Sequence, residues 1–363
     1  MAYFEDVFDD VTKEGHKIPK ESYLPEGLYP IIDQGQEYIA GYSNEKTGLY
    51  ENVPAIIFGD HTRIIKYVDM PCFLGADGVK LLRAKIPEAN YKYLYYALCN
   101  ARIPDTGYNR HFKWLKKIDI PLPEPSKQRH VVSVLDKIND MIALRKQQLA
   151  KLDELVKSRF VEMFGDSDEY EATPLAHSVE EMFIGPFGSS LKNECFVDAD
   201  EGYCMVYEQK HAIKKTMDVD TRFVDEKKYK ELRRFTVQGG DIIVSCRGTI
   251  GETFIIPDGA PMGIMHPSIM KIRLKNNAYN RIFFNQLLQN VLKRHEAEAN
   301  GSGIKMAITA TALGKESFIR PPLELQEQFA AFVEQTDKSR LTIQRGLDKL
   351  EMMKKALMQQ YFG

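Results

Sequence analysis

Eight histidines, five cysteines and 51 carboxylates are spread over 363 residues, but no spacing among them spells out a catalytic or metal site. Cys72, Cys99, Cys195, Cys204 and Cys246 form no C-x-x-C pair, so neither zinc ligation nor thiol redox chemistry is indicated. The stretch from Cys99 to His111 lacks the paired ligands of a Cys/His nuclease finger, and H-E-x-x-H is absent. Gly314-Lys315 is followed by Glu316 and has no upstream glycine, so it is not a phosphate loop; Gly301-Ser302-Gly303 runs on into Ile-Lys-Met and is not a dinucleotide fingerprint. No Asn-Pro-Pro-Tyr or Asp-Pro-Pro-Tyr run of the adenine-methyltransferase kind occurs. Two basic clusters could hold phosphate: Arg110-His111-Phe112-Lys113 with Lys116-Lys117, and Lys227-Lys228 with Arg233-Arg234.

The chain that positions these residues has an ordinary globular composition, 44% hydrophobic and 28% charged, at a length that suits two or three domains. Its net charge of −2 argues against a generic nucleic-acid coat but not against a reader with a few well-placed cations. Residues 1–126 carry 15 Lys and Arg against 18 Asp and Glu, and residues 165–325 carry 20 against 23. Cations that meet phosphate must therefore be clustered. The acidic start, the lack of any long apolar run and the scattered thiols lead us to expect a cytoplasmic protein.

An internal repeat organises the sequence. Residues 119–165 and 317–363 align without a gap at an offset of 198. Identities include Pro123/Pro321, Gln128/Gln326, Leu149/Leu347, Leu152/Leu350, Phe164/Phe362 and Gly165/Gly363. Prolines open each copy and Phe-Gly closes it, which are helix start and stop signals. About 37 intervening residues at 1.5 Å rise predict a helix roughly 55 Å long. Val131, Leu135, Ile138, Ile142, Leu149, Leu152 and Val156 recur at heptad spacing in the first copy. The second stripe, with Phe329, Val333, Ile343, Leu347 and Leu350, is more polar because Thr336 and Arg340 fall on it; Met353 and Leu357 widen its apolar face. Two such helices can bury their stripes on each other, which predicts an antiparallel coiled coil. The remaining segments hold short β-branched and aromatic runs punctuated by Gly, Pro, Asn and Asp, with helical stretches at Tyr91–Ala101 and Arg281–Ala297. The expected fold class is α+β. Its units are 1–122, a helix over 123–165, a second α+β unit over 166–320 and a second helix over 321–363.

This doubled pattern resembles the specificity subunits of type I restriction–modification systems, in which two variable target-recognition domains alternate with two conserved helices. The phrases YPIIDQGQEYIAGY (29–42), FGDHTR (58–63), FLGADGVKLL (73–82) and GYNRHFKWLKKIDIPLP (107–123) resemble recognition-domain phrases of that family. So do GPFGSSLK (185–192), VYEQKHAI (206–213), GDIIVSCRGTIGE (240–252) and NGSGIKMAITATALGKESF (300–318). The resemblance implies a subunit with no catalysis of its own. Each recognition domain would read one half of a split double-stranded DNA site, and the helices would set the gap and dock two methyltransferase subunits. Restriction-translocase subunits would complete the nuclease, and S-adenosylmethionine, ATP and magnesium would belong to those partners.

Base reading needs fixed donor and acceptor patterns: Arg suits guanine, Asn or Gln suits adenine, and Gly lets backbone approach the duplex. The expected contacts are Gln34, His61, Thr62, Arg63, Asn109, Arg110, His111 and Lys113 in the first domain. In the second they are Ser189, Ser190, Lys192, Gln209, Arg247, Thr249, Ser302 and Lys305. His266 is a weaker candidate. Two rival functions fit the same sequence: a nuclease with diverged carboxylates, or a sequence-independent adaptor joining peptide-binding domains.

Overall fold

A computed structural model describes residues 1–75, 77–107, 109–165, 169–247, 249–302 and 309–363, with backbone alone at 297–302. The chain forms two compact units. One comprises Met1–Leu149 with Thr342–Gly363, and the other Ala150–Leu341.

The first unit contains strands β1 (Ala2–Tyr3), β2 (Phe8–Asp10), β3 (Tyr29–Ile32), β4 (Gly41–Ser43), β5 (Ala55–Gly59), β6 (Ile65–Val68), β7 (Phe73–Leu74), β8 (Val79–Ala84) and β9 (Asp119–Ile120). Helices α1 (Phe4–Val7), α2 (Tyr91–Cys99) and α3 (Phe112–Leu115) lie among them. The main sheet runs β2-β8-β5-β6, all antiparallel. A second sheet runs β4-β3-β7, with β3 and β7 parallel. Every residue of β5 is buried because both faces of the main sheet are covered. Ile56 and Phe58 pack with Tyr93, Leu94 and Leu98 of α2, whereas Ala55 and Ile57 face Ile32 and Leu74 of the second sheet. The Asn90 side chain caps α2 by accepting from the Tyr93 N–H at 3.1 Å.

The second unit repeats this plan. Its strands are β10 (Ala172–Pro174), β11 (Val179–Ile184), β12 (Cys204–Tyr207), β13 (Phe223–Val224), β14 (Thr236–Val237), β15 (Ile242–Ser245), β16 (Thr253–Ile255), β17 (Gly263–Met265), β18 (Ile269–Leu274) and β19 (Ser317–Ile319). Its shorter helices are α5 (Gln209–Lys214), α6 (Glu226–Glu231), α7 (Arg281–Ser302) and α8 (Ala310–Lys315). The main sheet has the order β11-β18-β15-β16, and the second sheet β13-β12-β17-β14 has β12 parallel to β17. Ile242 and Val244 join the aromatic cluster around Phe283 and Phe284 of α7, while Ile243 faces Tyr207 and Met265. Asn280 caps α7 through its side-chain oxygen.

Helix α4 spans Pro125–Phe164 and α9 spans Leu323–Phe362. At 40 residues each they are slightly longer than the repeat predicts, about 60 Å. The repeated Pro and Gln have a shared local role. Gln128 Nε2 donates to the Pro123 carbonyl at 2.8 Å and Gln326 Nε2 to that of Pro321 at 2.7 Å, tying each helix start to its proline lead-in. The repeated Phe also has one role. Phe164 packs on Phe283 of α7 with ring centroids 4.8 Å apart, and Phe362 on Tyr93 of α2 at 5.3 Å.

The helices are antiparallel in both units. In the first, Lys146 pairs with Glu351 at 3.2 Å, while Leu357 and Phe362 pack against the core holding Val131 and Leu135. In the second, Arg340 pairs with Asp153 at 2.7 Å while Phe329 touches Phe160. The stripe does not run helix-to-helix throughout. Ile138, Ile142 and Leu347 make a buried seam flanked by Val134, Leu149, Leu350 and Leu357. Val131 and Leu135, by contrast, enter the first unit's core, and Val156 and Phe329 enter the second's. Leu152 and Ile343 are half-buried, as is Val333, which packs at the margin of the second core. The two ends of the heptad pattern thus serve domain cores, because each helix end docks on an apolar helix of its unit. Met353 does not widen the face; it is 52% exposed. Thr336 is buried and donates its hydroxyl to the Phe332 carbonyl at 2.9 Å, while Arg340 turns outward to Asp153 and Asp337.

Among the described residues no helix is long and apolar enough to cross a membrane, and no cluster of His, Cys, Asp and Glu could hold a metal ion.

Candidate nucleic-acid interface

In each unit the parallel strand pair and the central hairpin end at one edge of the sheets. In the first unit this edge joins the segment after β3, the turn between β5 and β6, and the approach to α3. Gln34 ties it together. Its Oε1 accepts from the His61 N–H at 3.1 Å, its Nε2 donates to the Asp77 carbonyl at 3.1 Å, and its own carbonyl accepts from Thr62 Oγ1 at 2.7 Å. A Cβ on Gly78, which has φ +84°, would come within 2.5 Å of the Gln34 amide, so glycine is needed for close approach as well as for the turn. Gln34 is therefore an internal strut in this structure.

Arg63 sits at φ +62°, where few non-glycine residues are found, and its guanidinium pairs with Asp105 at 2.8 Å. His111 does not offer its ring to solvent. It is 1% exposed, with Nδ1 3.0 Å from the Asp60 carbonyl and Nε2 3.3 Å from Thr106 Oγ1. The buried Asp60 carboxylate in turn accepts from the Phe112 N–H at 2.7 Å, so Asp60 and His111 fasten α3 to the hairpin. Neither role is readable from sequence, because the partners are about 50 positions apart. Asn109 donates to the Thr106 carbonyl and is exposed, as are Arg110 and Lys113. Lys113 and Lys117 lie over the Trp114 ring, 5.5 and 5.0 Å from its centroid.

In the second unit the corresponding edge carries Gln209 after β12, the turn between β15 and β16, and His266 after β17. Arg247 and Thr249 on that turn are exposed. Ser189 and Lys192 are exposed on the segment after β11, with Ser190 half-buried and Lys192 3.8 Å from Glu194. Lys305 lies outside the described residues, as does the side chain of Ser302.

A charged cluster that sequence reading missed is centred on Glu208, the residue before Gln209. The Glu208 carboxylate is nearly buried, pairs with Arg222, and lies 2.7 Å from Lys210 Nζ. Arg222 also stacks 3.8 Å from the Phe196 ring centroid. Burial works to raise the Glu208 carboxyl, but hydrogen bonds from Arg222 and Lys210 outweigh it and hold the group below its ordinary range. Among the described residues Gln209 Oε1 and His211 Nε2 are buried without hydrogen-bond partners. An unpaired buried polar atom costs about 1–3 kcal/mol, and these two lie within one turn of each other at the start of α5.

Burial pushes the His211 and His266 imidazoles below the free value of 6.5. As pH falls through 6.5 the unfolded chain takes up protons that the folded unit resists, so stability drops on the acid side. We expect the melting temperature of the second unit to fall by a few degrees between about pH 7.5 and pH 5.5. His211→Gln should flatten that slope; an unchanged slope would contradict the assignment.

The fold repeats one α+β plan in two units, each completed by segments of two long helices, and sequence comparison shows the family to which such a chain belongs. The sequence model for the type I restriction modification DNA specificity domain matches residues 4–154 and 203–352, and the chain belongs to this family. A curated relative, the type I restriction enzyme EcoR124I/EcoR124II specificity subunit of Escherichia coli, is 27% identical over 170 residues. That alignment spans 39% of this chain and 42% of the relative. Among solved structures, the S subunit of a type I restriction-modification system from M. genitalium superposes with a TM-score of 0.59 at 17% identity, covering 98% of this chain and 94% of that one. A second chain, from work on complex assembly and conformational transition of the type I R-M system, gives 0.55 at 14% identity, covering 99% and 95%.

Proposed function

We propose that this chain is the DNA-reading subunit of a type I restriction–modification complex, with 1–122 and 166–320 each reading one half of a split site. The supporting observation is the repetition of one topology with different polar residues at the same edge, within a chain of the DNA specificity family. One fold used twice with unlike side chains suits two unlike half-sites. Helices 123–165 and 321–363 set the unspecified gap and dock two modification subunits, and restriction subunits join that assembly. The chain itself is non-catalytic and works in the cytoplasm. The methyl donor S-adenosylmethionine, ATP and magnesium are bound by the partners.

Both globular regions are net negative, so partner subunits supply part of the charge that holds phosphate. The test is a binding assay of the chain with its modification subunits on random and selected duplexes. Sequence dependence supports the reading, and its absence favours an adaptor. Cleavage by the purified chain with magnesium would favour a nuclease. Arg110→Ala is expected to weaken binding by about 1–3 kcal/mol. A loss confined to one base pair identifies a base contact, an even loss identifies a phosphate contact, and no loss removes Arg110 from the interface.

A further inference from the structure

The two units can be superposed bond by bond from their backbone hydrogen bonds. Gly75 N–H donates to the Ile32 carbonyl as His266 N–H does to that of Tyr207, both at 2.8 Å. Asp60 N–H donates to Gly78 as Cys246 N–H does to Ser268, at 2.7 and 2.8 Å. Gly59 N–H donates to Ile64 as Ser245 N–H does to Glu252, both at 2.8 Å. Arg63 N–H donates to Gly59 as Gly251 N–H does to Ser245, at 2.7 and 2.9 Å.

Two equivalences follow. Gln34 stands two residues beyond β3 and Gln209 two residues beyond β12, each preceded by an acid, Asp33 or Glu208. Arg63 and Gly251 occupy the same turn position, and both have positive φ, 62° and 88°.

The members of each pair are used differently. Gln34 is consumed by the hairpin it braces. The second unit's turn is two residues longer, and among the described residues Gln209 makes no hydrogen bond to it; its Oε1 is a buried acceptor without a partner, next in sequence to the Glu208 carboxylate that Arg222 and Lys210 hold. At the turn position the second unit has the residue that suits a left-handed backbone. The first has an arginine there, although glycine would be the easier choice, and its guanidinium is held by the exposed Asp105 carboxylate, a weak surface pair that a base can displace. A side chain retained against backbone preference is a functional signal.

Building on the function proposed above, we infer that the units read bases from exchanged positions of one scaffold. Gln209 reads an adenine in one half-site and Arg63 a guanine in the other, while Gln34 is a structural strut. The residue types fit, since glutamine pairs with adenine N6 and N7 and arginine with guanine O6 and N7.

The test uses the full chain with its modification subunits and duplexes changed at one base pair at a time. Gln209→Ala should level the preference at one A·T pair in one half-site, a loss of roughly five- to 150-fold, and leave the other half untouched. Gln209→Glu should lose the same preference and gain tolerance of cytosine, whose N4 amine a carboxylate accepts. Arg63→Gly should level one G·C pair in the other half-site with the first unit's melting temperature unchanged or raised, which separates reading from folding. Gln34→Ala should lower that melting temperature and leave every base preference intact. Full discrimination by Gln209→Ala or Arg63→Gly, or a base preference lost in Gln34→Ala, overturns the assignment. A wild-type complex with no preference at any position overturns the functional reading beneath it, a distinct result.

Discussion

Asp241→Ala is expected to destabilise the second unit by about 3–5 kcal/mol, because it leaves a largely buried guanidinium without its principal partner. Asp241 is 1% exposed immediately before β15. Its two oxygens lie 2.7 Å from Arg273 Nε and 2.7 Å from the Arg273 terminal nitrogen, and Oδ2 also accepts from the Gln238 N–H at 2.9 Å. Glu181 approaches Arg273 at 3.0 Å and Lys271 at 2.5 Å, so the carboxylates and cations form one network across β11, β15 and β18. Arg340→Ala is the comparison. It breaks the more exposed pair with Asp153 and is expected to cost about 0–1 kcal/mol. Denaturant unfolding followed by a probe in the second unit measures both. Equal costs for the two variants would contradict the network's role.

The second large effect is expected at the helix seam. Leu347 is 5% exposed against Ile138 and Ile142 in a cluster of few members. Leu347→Ala should therefore cost about 2–4 kcal/mol, combining lost transfer energy with a cavity that two rigid helices cannot close. Met353→Ala, six residues along the same helix at 52% exposure, should stay within about 0.5 kcal/mol. Helical circular dichroism during thermal unfolding reads both. A costly Met353→Ala with a mild Leu347→Ala would mean that the helices meet on another face.

The sequence disclosed the helices because their repeat is gapless and their residues have local duties: a glutamine that grips a proline, a phenylalanine that plugs a core. It concealed the topological repeat of the globular regions, which share a four-stranded main sheet and a parallel strand pair in the second sheet. Gln34 and Gln209 are 175 positions apart and Arg63 and Gly251 are 188 apart, whereas the helices repeat at 198. Loops of different length shift each pair by a different amount, so no single offset aligns them. The surroundings of the candidate contacts were only partly legible. Arg110, Arg247 and Thr249 are exposed on loops, as their polar, glycine-flanked phrases suggest. Gln34 and His111 have the right chemistry but spend it on neighbouring backbone, which depends on contacts from distant parts of the chain. Arg222 is not legible in the sequence, because its link to Glu208 forms only once β12 and the segment before β13 meet.

Genome-wide mapping of methylated adenines in source cells with and without this chain tests the central claim most directly. The account predicts a methylated motif of two defined parts around an unspecified gap, present with the chain and lost without it. An uninterrupted motif, or a methylation pattern indifferent to the chain, would contradict it.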